Sequence, residues 1–249
     1  MSGELFSEGS RREMADVETS SSAYAARFAG ATGAWMLEIQ AAAVRTLLND
    51  LPPGSRLLEV GGGHGQLAGP LLEAGYDLTV VGSAPECRER LRCYETTGQC
   101  RFLVSDLLAL PFESGAFEAV LAIRLLTHCE RWRALVAELA RVARQAVIVE
   151  FPVHEGLHRL APIFFGAKQR MEGNTRRWRP FRRGEILESF HDVGYECDRW
   201  IRQFFWPLVL HRVLRNRALS ERLELAARRL GWTEWAGSPI IARMVPRRR

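Results

Sequence analysis

The sequence contains no apolar run that approaches the ~20 residues needed to cross a bilayer as a helix. Its first 22 residues, MSGELFSEGSRREMADVETSSS, have no apolar core, so we expect no secretory signal and interpret residues 1–21 as a polar, flexible tail. The five cysteines form no Cys-x-x-Cys pair and their number is odd. This argues against a disulfide framework or a zinc site and favours a cytoplasmic protein. No group of Asp, Glu and His has metal-ligand spacing, so no metal is predicted.

Lysine is almost absent, and Lys168 is the only one in the sequence. The chain nevertheless has a formal net charge of +5. Arginine therefore carries nearly all of the positive charge, and a basic surface attracts nucleic acid, anionic lipid or acidic substrates. Nucleic acid is the least favoured of these partners, since no RNA-binding module is appended. The stretch 204–213, with its flanking arginines, leaves peripheral membrane contact open. Nothing in the sequence indicates an oligomeric state.

Short apolar strands and helical segments alternate between residues 56 and 151. The pattern predicts strands at 56–60, 76–81, 100–104, 117–123 and 146–151, with helices at 66–74, 86–95 and 131–142. Such alternation is typical of right-handed βαβ crossovers and predicts an α/β fold with a Rossmann-like, doubly wound, mostly parallel sheet. In these sheets a ligand binds outside the carboxyl ends of the strands.

The remaining segments are expected to complete a single domain over residues 22–249. An alanine-rich stretch at 22–51 has helical spacing and predicts an N-terminal helical cap of one or two helices. Residues 152–180 and 207–235 are interpreted as helical lid insertions on the acceptor side of the 56–151 core. A helix is predicted at 184–193 and further strands at 195–205 and 238–245.

A glycine-rich turn follows the first predicted strand and reads Glu59-Val-Gly61-Gly-Gly63-His-Gly65, or ExGxGxG. Glycine lets the backbone turn tightly and approach a ligand, and the next helix presents free N–H groups. A dinucleotide site would more often read GxGxxG. An acid before the first glycine would repel a phosphate but could bind a cationic amino group, so the turn favours a ligand with an amino-acid end. Gly62 falls outside the ligand-facing pattern.

Further features follow in order: Asp106 after the third strand, Leu-Pro-Phe at 110–112, Phe117-Glu118-Ala-Val, and the run HCERWRALVAELARVAR. Together with the glycine turn, this succession resembles the class I S-adenosylmethionine-dependent methyltransferases, in the small-molecule branch that includes the ubiquinone and menaquinone methyltransferases. The resemblance covers about residues 56–150 well and the region after 151 poorly. It implies a seven-stranded Rossmann-like fold, S-adenosylmethionine as cofactor and S-adenosylhomocysteine as product.

The resemblance also implies roles for individual residues. The acid and glycines of the turn, with the backbone after the fourth strand, would hold the methionine end of the cofactor: Glu59, Gly61, Gly63, Gly65, Ile123 and Arg124. Asp106 would accept a hydrogen bond from the adenine amino group, with Leu107 packed on the ring. Tyr24 resembles the aromatic residue that caps the cofactor, and Arg27 is near it in the sequence.

One departure from the family pattern concerns the end of the second strand. The family usually has an acid there that bonds the ribose hydroxyls, whereas this sequence offers Gly82, Ser83 or Ala84, depending on the alignment. Ser83 could exchange one hydrogen bond and Glu86 could reach back, but neither matches a bidentate carboxylate. Losing such a contact costs ~1–3 kcal/mol. A non-catalytic binding or scaffold protein of the same fold therefore stays open as the alternative.

Methyl transfer from a sulfonium is an in-line displacement that needs orientation, and often a base when the acceptor is a hydroxyl. Histidine suits that role because its pKa is near neutral. His128 and His154 follow the fourth and fifth strands and are equal candidates for the base, each with the alternative of a loop histidine bonded to backbone. His158, Arg176, Trp178 and His211 are candidates for the acceptor side.

We therefore predict transfer of a methyl group to a small-molecule or lipid-like acceptor, with oxygen as the expected methylated atom. An RNA methyltransferase is a less favoured alternative. The Asn/Asp-Pro-Pro-Tyr/Phe type of motif used for exocyclic amines of bases is absent from the sequence.

Overall fold

The computed structural model describes residues 13–153 and 179–248. A seven-stranded sheet lies at its centre, and its strands in chain order are β1 (Arg56–Val60), β2 (Asp77–Gly82), β3 (Cys100–Val104), β4 (Phe117–Ala122), β5 (Ala143–Phe151), β6 (Tyr195–Phe204) and β7 (Ser238–Pro246). The helices of the N-terminal half are α1 (Asp16–Ser20), α2 (Ser22–Ala26), α3 (Gly30–Leu47), α4 (Ala68–Glu73), α5 (Arg92–Thr96) and α6 (Trp132–Val142). Those of the C-terminal half are α7 (Arg183–Asp192), α8 (Leu208–Leu214), α9 (Arg217–Arg229) and α10 (Trp232–Ala236).

The strand order across the sheet is β3-β2-β1-β4-β5-β7-β6. Strands β1 to β5 pair in parallel, and β7 pairs antiparallel with both β5 and β6. The order reverses direction between β1 and β4, so the loops that follow these two strands lead to opposite sides of the sheet. That divergence opens a crevice at the carboxyl edge, which is where ligands bind in this architecture. The predicted α/β, doubly wound, mostly parallel fold is confirmed.

Two apolar layers cover the two faces of the sheet. On one face, α6 presents an apolar stripe that is fully buried with Val120 of β4 and Val147 of β5; it consists of Leu135, Val136, Leu139 and Val142. On the other face, α3 and α4 pack on the alternate residues of the same strands, with Val44, Leu47 and Leu71 fully or almost fully buried. The central strands are buried on both faces, which is why they read as continuous apolar runs.

Most predicted elements lie within three residues of their observed bounds, but the segment after β2 is different. The single helix expected over 86–95 is a 3-10 turn at Pro85–Leu91 followed by the short α5. The helical lid segment expected over 207–235 is likewise divided, because Arg215 adopts a left-handed φ of 47° and ends α8. The Asn216 side chain then accepts a hydrogen bond from the Leu219 amide and begins α9.

The predicted flexible tail is wrong for residues 13–21. Residues 16–20 form helix α1, and Asp16 within it is fully buried. Local composition suggested a polar tail, but this segment is held by contacts with β2 and the glycine turn far along the chain. Most of the first lid segment, 154–178, lies outside the described residues. Within the part of the chain that the structure describes, no helix is long and apolar enough to cross a membrane.

Candidate active site

The glycine turn leaves β1 at the carboxyl edge of the sheet, next to the crevice. Gly61 and Gly65 have φ angles of 71° and 74°, a left-handed conformation that favours glycine. Gly62 has a different reason to be glycine, because an added Cβ would lie 2.4 Å from Cδ of Glu59. The absence of a side chain at 62 thus makes room for the Glu59 carboxyl, a role that the sequence pattern alone did not reveal.

Glu59 is only 1% exposed, and its Oε2 has no hydrogen-bond partner among the described residues. Burial raises the pKa of Glu59 from 4.5 to about 8, although the nearby Arg124 guanidinium acts in the opposite direction. A buried carboxyl with an orphaned oxygen is suited to receive a cationic amino group, which would restore its charge.

His64, within the turn, faces the N-terminal helices rather than the acceptor side. Its ring makes edge contacts with Tyr24 and Phe28, at centroid distances of 5.8 and 5.7 Å. Burial, aided by Arg124 and Arg90, lowers the pKa of His64 to about 3. His64 is therefore neutral at physiological pH and fixes the glycine turn against the cap formed by α2 and the start of α3.

A cavity of about 230 Å³ opens beside the turn, between the cap, β5, β6 and α8. Its walls are mostly apolar and aromatic, and its residues include Tyr24, Phe28, Met36, Val153, Phe204 and Leu208. Its polar residues include Arg27, Gln40, Arg124, Thr127, His128, Glu150, Gln203 and Arg212. This mixture of an apolar wall with a few polar groups is typical of small-molecule sites.

Glu150 organises the polar floor of this cavity. Its Oε1 accepts hydrogen bonds from Nε2 of Gln40 at 2.8 Å and from Nε2 of Gln203 at 2.6 Å. Arg124 donates to Oε1 of Gln40 at 3.1 Å, and its Nε lies 4.0 Å from Oε2 of Glu150. Sequence analysis missed this network. A single acid within the otherwise apolar stretch AVIVEF was the available signal, because a buried strand seldom carries an unpaired charge.

Arg124 is strained into a left-handed φ of 59° directly after β4. This conformation places its guanidinium 4.0 Å from the centroid of the Phe28 ring, and Arg212 approaches the same ring at 5.4 Å. Arg27 lies 4.9 Å from the Tyr24 ring. The family resemblance predicted cofactor contacts for Tyr24 and Arg124, with Arg27 beside Tyr24, and the structure brings all three to one cavity. Ile123, also named there, is buried at the end of β4.

The end of β2 has no room for the acid that the family usually places there. An added Cβ on Gly82 would lie 2.7 Å from Cβ of Cys87 and 2.8 Å from Cζ of Phe102. The carboxylate found at this point belongs to Asp16 of α1. Its Oδ2 accepts a hydrogen bond from the Ser83 amide at 2.9 Å, and its Oδ1 accepts one from the Ser83 hydroxyl.

The predicted adenine contacts lie at the neighbouring strand end. Asp106 is partly buried after β3, and its Oδ1 accepts a hydrogen bond from the Leu108 amide at 3.0 Å. Leu107 is fully buried in the same apolar cluster as Ala15, which precedes α1, and Leu125, which follows β4.

The structure describes only some of the predicted bases and acceptor-side residues. His128 stands in a 3-10 turn after β4 and lines the cavity. His154, His158, Arg176 and Trp178 lie outside the described residues. The His211 ring is fully buried behind Phe204, and its Nε2 lies 2.9 Å from Oε1 of Glu224, which also accepts from the Trp206 amide. His211 therefore supports the corner between β6 and α9 instead of lining the cavity, and periodicity could not reveal the distant Glu224.

The cofactor implied by the resemblance fits this site in one half only. The methionine end matches the orphaned oxygen of Glu59 beside the glycine turn. The adenosine half does not fit while α1 is docked, since Asp16 occupies the end of β2. Ser20 of α1 also lies against the turn, where its Oγ would be 2.2 Å from a Cβ added to Gly63.

No group of three or more metal-binding side chains occurs within residues 13–153 and 179–248.

Comparison with known proteins agrees with this architecture. A family model described as a methyltransferase domain matches residues 58–149. An O-methyltransferase of Pyrenophora dematioidea is 30% identical over 98 residues, which are 37% of this chain and 36% of that protein. An uncharacterised protein of Mycobacterium tuberculosis is 30% identical over 123 residues, 45% of each chain. The chain thus spans less than half the length of these curated relatives.

Solved structures match over more of the chain. Magnesium protoporphyrin IX methyltransferase from Synechocystis, with bound S-adenosylhomocysteine, aligns with a TM-score of 0.60 and 16% identity over 86% of this chain and 84% of that one. A geranyl diphosphate methyltransferase in complex with geranyl diphosphate and sinefungin aligns with a TM-score of 0.61 and 14% identity, over 84% of this chain and 78% of that one. A [4+2]-cyclase aligns with a TM-score of 0.58 and 18% identity, over 83% of this chain and 80% of that one. At these identities the likeness establishes the fold. The family match, which includes the glycine turn, marks residues 58–149 as a methyltransferase domain.

Proposed function

We propose that this chain transfers a methyl group from S-adenosylmethionine to a small-molecule or lipid-like acceptor, with oxygen as the methylated atom. The observation that carries the proposal is the position of the glycine turn and the orphaned Glu59 oxygen, at the carboxyl edge of β1. When bound, the cofactor supplies a sulfonium methyl group that is activated for displacement. The matched O-methyltransferase supports the choice of oxygen.

The cavity supports an acceptor with an apolar body and an anionic group. Tyr24, Phe28 and Phe204 offer ring surface, and Arg27 and Arg212 stand at the same cavity. Guanidinium groups stacked on rings are held in place and can still donate hydrogen bonds to a carboxylate or phosphate. In this proposal Arg212 and Arg27 orient the anionic group, while the aromatic wall excludes water from the reacting end.

His128 is the candidate base within the described residues. It lines the cavity in the loop that follows β4, and its imidazole would accept the proton of an acceptor hydroxyl as the new bond forms. His154, its equal in the sequence, stays a prediction.

Calorimetric titration with S-adenosylhomocysteine tests the proposal. We expect one site per chain, and Asp106→Ala should weaken the affinity by ~5- to 20-fold because one adenine hydrogen bond is lost. Asp77→Ala is the matched control: it removes a carboxylate at the amino end of β2, where Asp77 pairs with Arg101 on the surface at 2.7 Å. It should bind as the wild type does. Equal affinities for all three proteins would contradict the assigned adenine site.

A second candidate is a non-catalytic binding protein on the same fold, and one observation favours it. The end of β2 carries no acid of its own, and its backbone amide is already bonded to Asp16. Such a protein would bind an apolar anion in the cavity but would bind no S-adenosylhomocysteine, even after α1 is released.

A further inference from the structure

Helix α1 lies across the part of the crevice that the adenosine of the cofactor would need. Ala15 and Asp16 are both fully buried, although they precede the cap and stand close to the beginning of the described chain. Short polar segments seldom bury a carboxylate unless something in the fold receives it. Here the receiving groups are the Ser83 amide and hydroxyl at the end of β2.

The same helix also covers the glycines of the turn. A Cβ added to Gly61 would lie 3.3 Å from Cβ of Asp16, and one added to Gly63 would lie 2.2 Å from Oγ of Ser20. These glycines, whose bare backbone is suited to close approach by a ligand, are in contact with the chain itself. Ser20 is small, and its hydroxyl donates a hydrogen bond to the Asp16 carbonyl within α1 at 2.7 Å. The helix can therefore approach the glycines closely.

The residue before α1 is buried on the same face of the sheet as the predicted adenine site. Ala15 belongs to the buried cluster that contains Leu107, the residue expected to pack on adenine. A single short segment therefore takes the hydrogen-bonding groups at the end of β2 and the backbone surface at the glycine turn. These are two different subsites of one ligand, and α1 occupies both.

The docking of α1 is of a kind that a ligand can reverse. The helix has five residues, no side-chain cap at its N-terminus, and is far shorter than the ~12–15 residues at which isolated helices become stable. Both hydrogen bonds of the buried Asp16 carboxylate to β2 come from neutral groups of Ser83. These two hydrogen bonds attach α1 to the end of β2, so that losing them favours the released state.

We propose that α1 is an internal competitor for the adenosine subsite, so that cofactor binding requires Asp16 to leave Ser83. This proposal rests on the proposed function. The apparent association constant for the cofactor is the intrinsic constant multiplied by the fraction of molecules in which α1 is released. Docking of α1 therefore lowers the apparent affinity. Asp16 is thus a residue that sets affinity from outside the reacting centre.

The test compares S-adenosylhomocysteine binding by the full-length wild type, Asp16→Ala and Asp16→Asn. Asp16→Ala should bind at least about tenfold more tightly, because the released state is favoured once both hydrogen bonds to Ser83 are lost. Asp16→Asn keeps one acceptor oxygen, and its affinity should lie between those of the wild type and Asp16→Ala. Asp77→Ala is the matched control, since it removes a carboxylate at the opposite, amino end of β2, where Asp77 pairs with Arg101 on the surface. It should bind as the wild type does, and Asp16→Asn keeps the comparison valid if Asp16→Ala folds poorly.

Hydrogen exchange of residues 14–20 gives a readout that does not depend on activity. Saturating S-adenosylhomocysteine should speed exchange of these amides in the wild type, because α1 is displaced. Slower exchange, or equal affinity of the wild type and both Asp16 variants, would overturn the competitor and leave the proposed function intact. No binding by any of the proteins would overturn both.

Discussion

Replacing Glu59 by glutamine should change how stability depends on pH. Glu59 has its pKa raised from 4.5 to about 8 by burial. The folded chain therefore holds a proton that the unfolded chain releases between these two values, so stability falls as the pH rises through that window. At 1.36 kcal/mol per pKa unit, the full loss is about 5 kcal/mol and is complete above pH 8. Glutamine has no proton to lose and escapes this loss.

The assay is urea unfolding of wild type and Glu59→Gln at pH 5, 7 and 8.5. The free energies of unfolding of the two proteins should differ least at pH 5. As the pH rises to 8.5, Glu59→Gln should become more stable relative to the wild type by several kcal/mol. Glu113→Gln, at an exposed loop position, is the matched control and should run parallel to the wild type. A constant difference between Glu59→Gln and wild type over this range would refute the reasoning, since Glu59 would then be ionised in the folded chain.

Two further predictions concern buried polar groups near the cavity. Acidification should destabilise the wild type through His64, whose pKa is lowered from 6.5 to about 3 in the folded chain. The contribution of the neutral His64 to stability is complete above pH 6.5 and is lost as the pH falls towards 3. In a plot of unfolding temperature against pH, His64→Gln should flatten this part of the curve. A profile of unchanged slope would contradict the assignment. Glu150→Ala should cost ~1–3 kcal/mol in urea unfolding because the amides of Gln40 and Gln203 lose their common acceptor, whereas Glu150→Gln should cost less. Equal losses in the two variants would show that the network adds little.

The sheet could be predicted from the sequence because its information is local. Strands β1, β4 and β5 are apolar runs between turn signals, and α6 carries one apolar stripe, so periodicity indicates both the element and its buried face. The glycine turn was equally readable, since Gly61 and Gly65 need a left-handed φ that few other residues adopt. Even there, the reason for Gly62 became visible only with the folded position of the Glu59 carboxyl.

The contacts that decide the site are distant in the chain, and no local pattern encodes them. Asp16 and Ser83 are 67 residues apart, and Gln40 and Glu150 are 110 residues apart. The composition around Asp16 is that of a solvated tail, so its burial depends on what the end of β2 offers it. The missing acid after Val81 was the sequence's one indication that another group stands at that position.

A crystal structure of the full-length chain grown with saturating S-adenosylhomocysteine would test the central claim most directly. The account predicts the ligand along the glycine turn, with its amino group at Glu59, its adenine at Asp106, and α1 withdrawn from Ser83. A crevice that still holds α1 and contains no ligand under these conditions would contradict it.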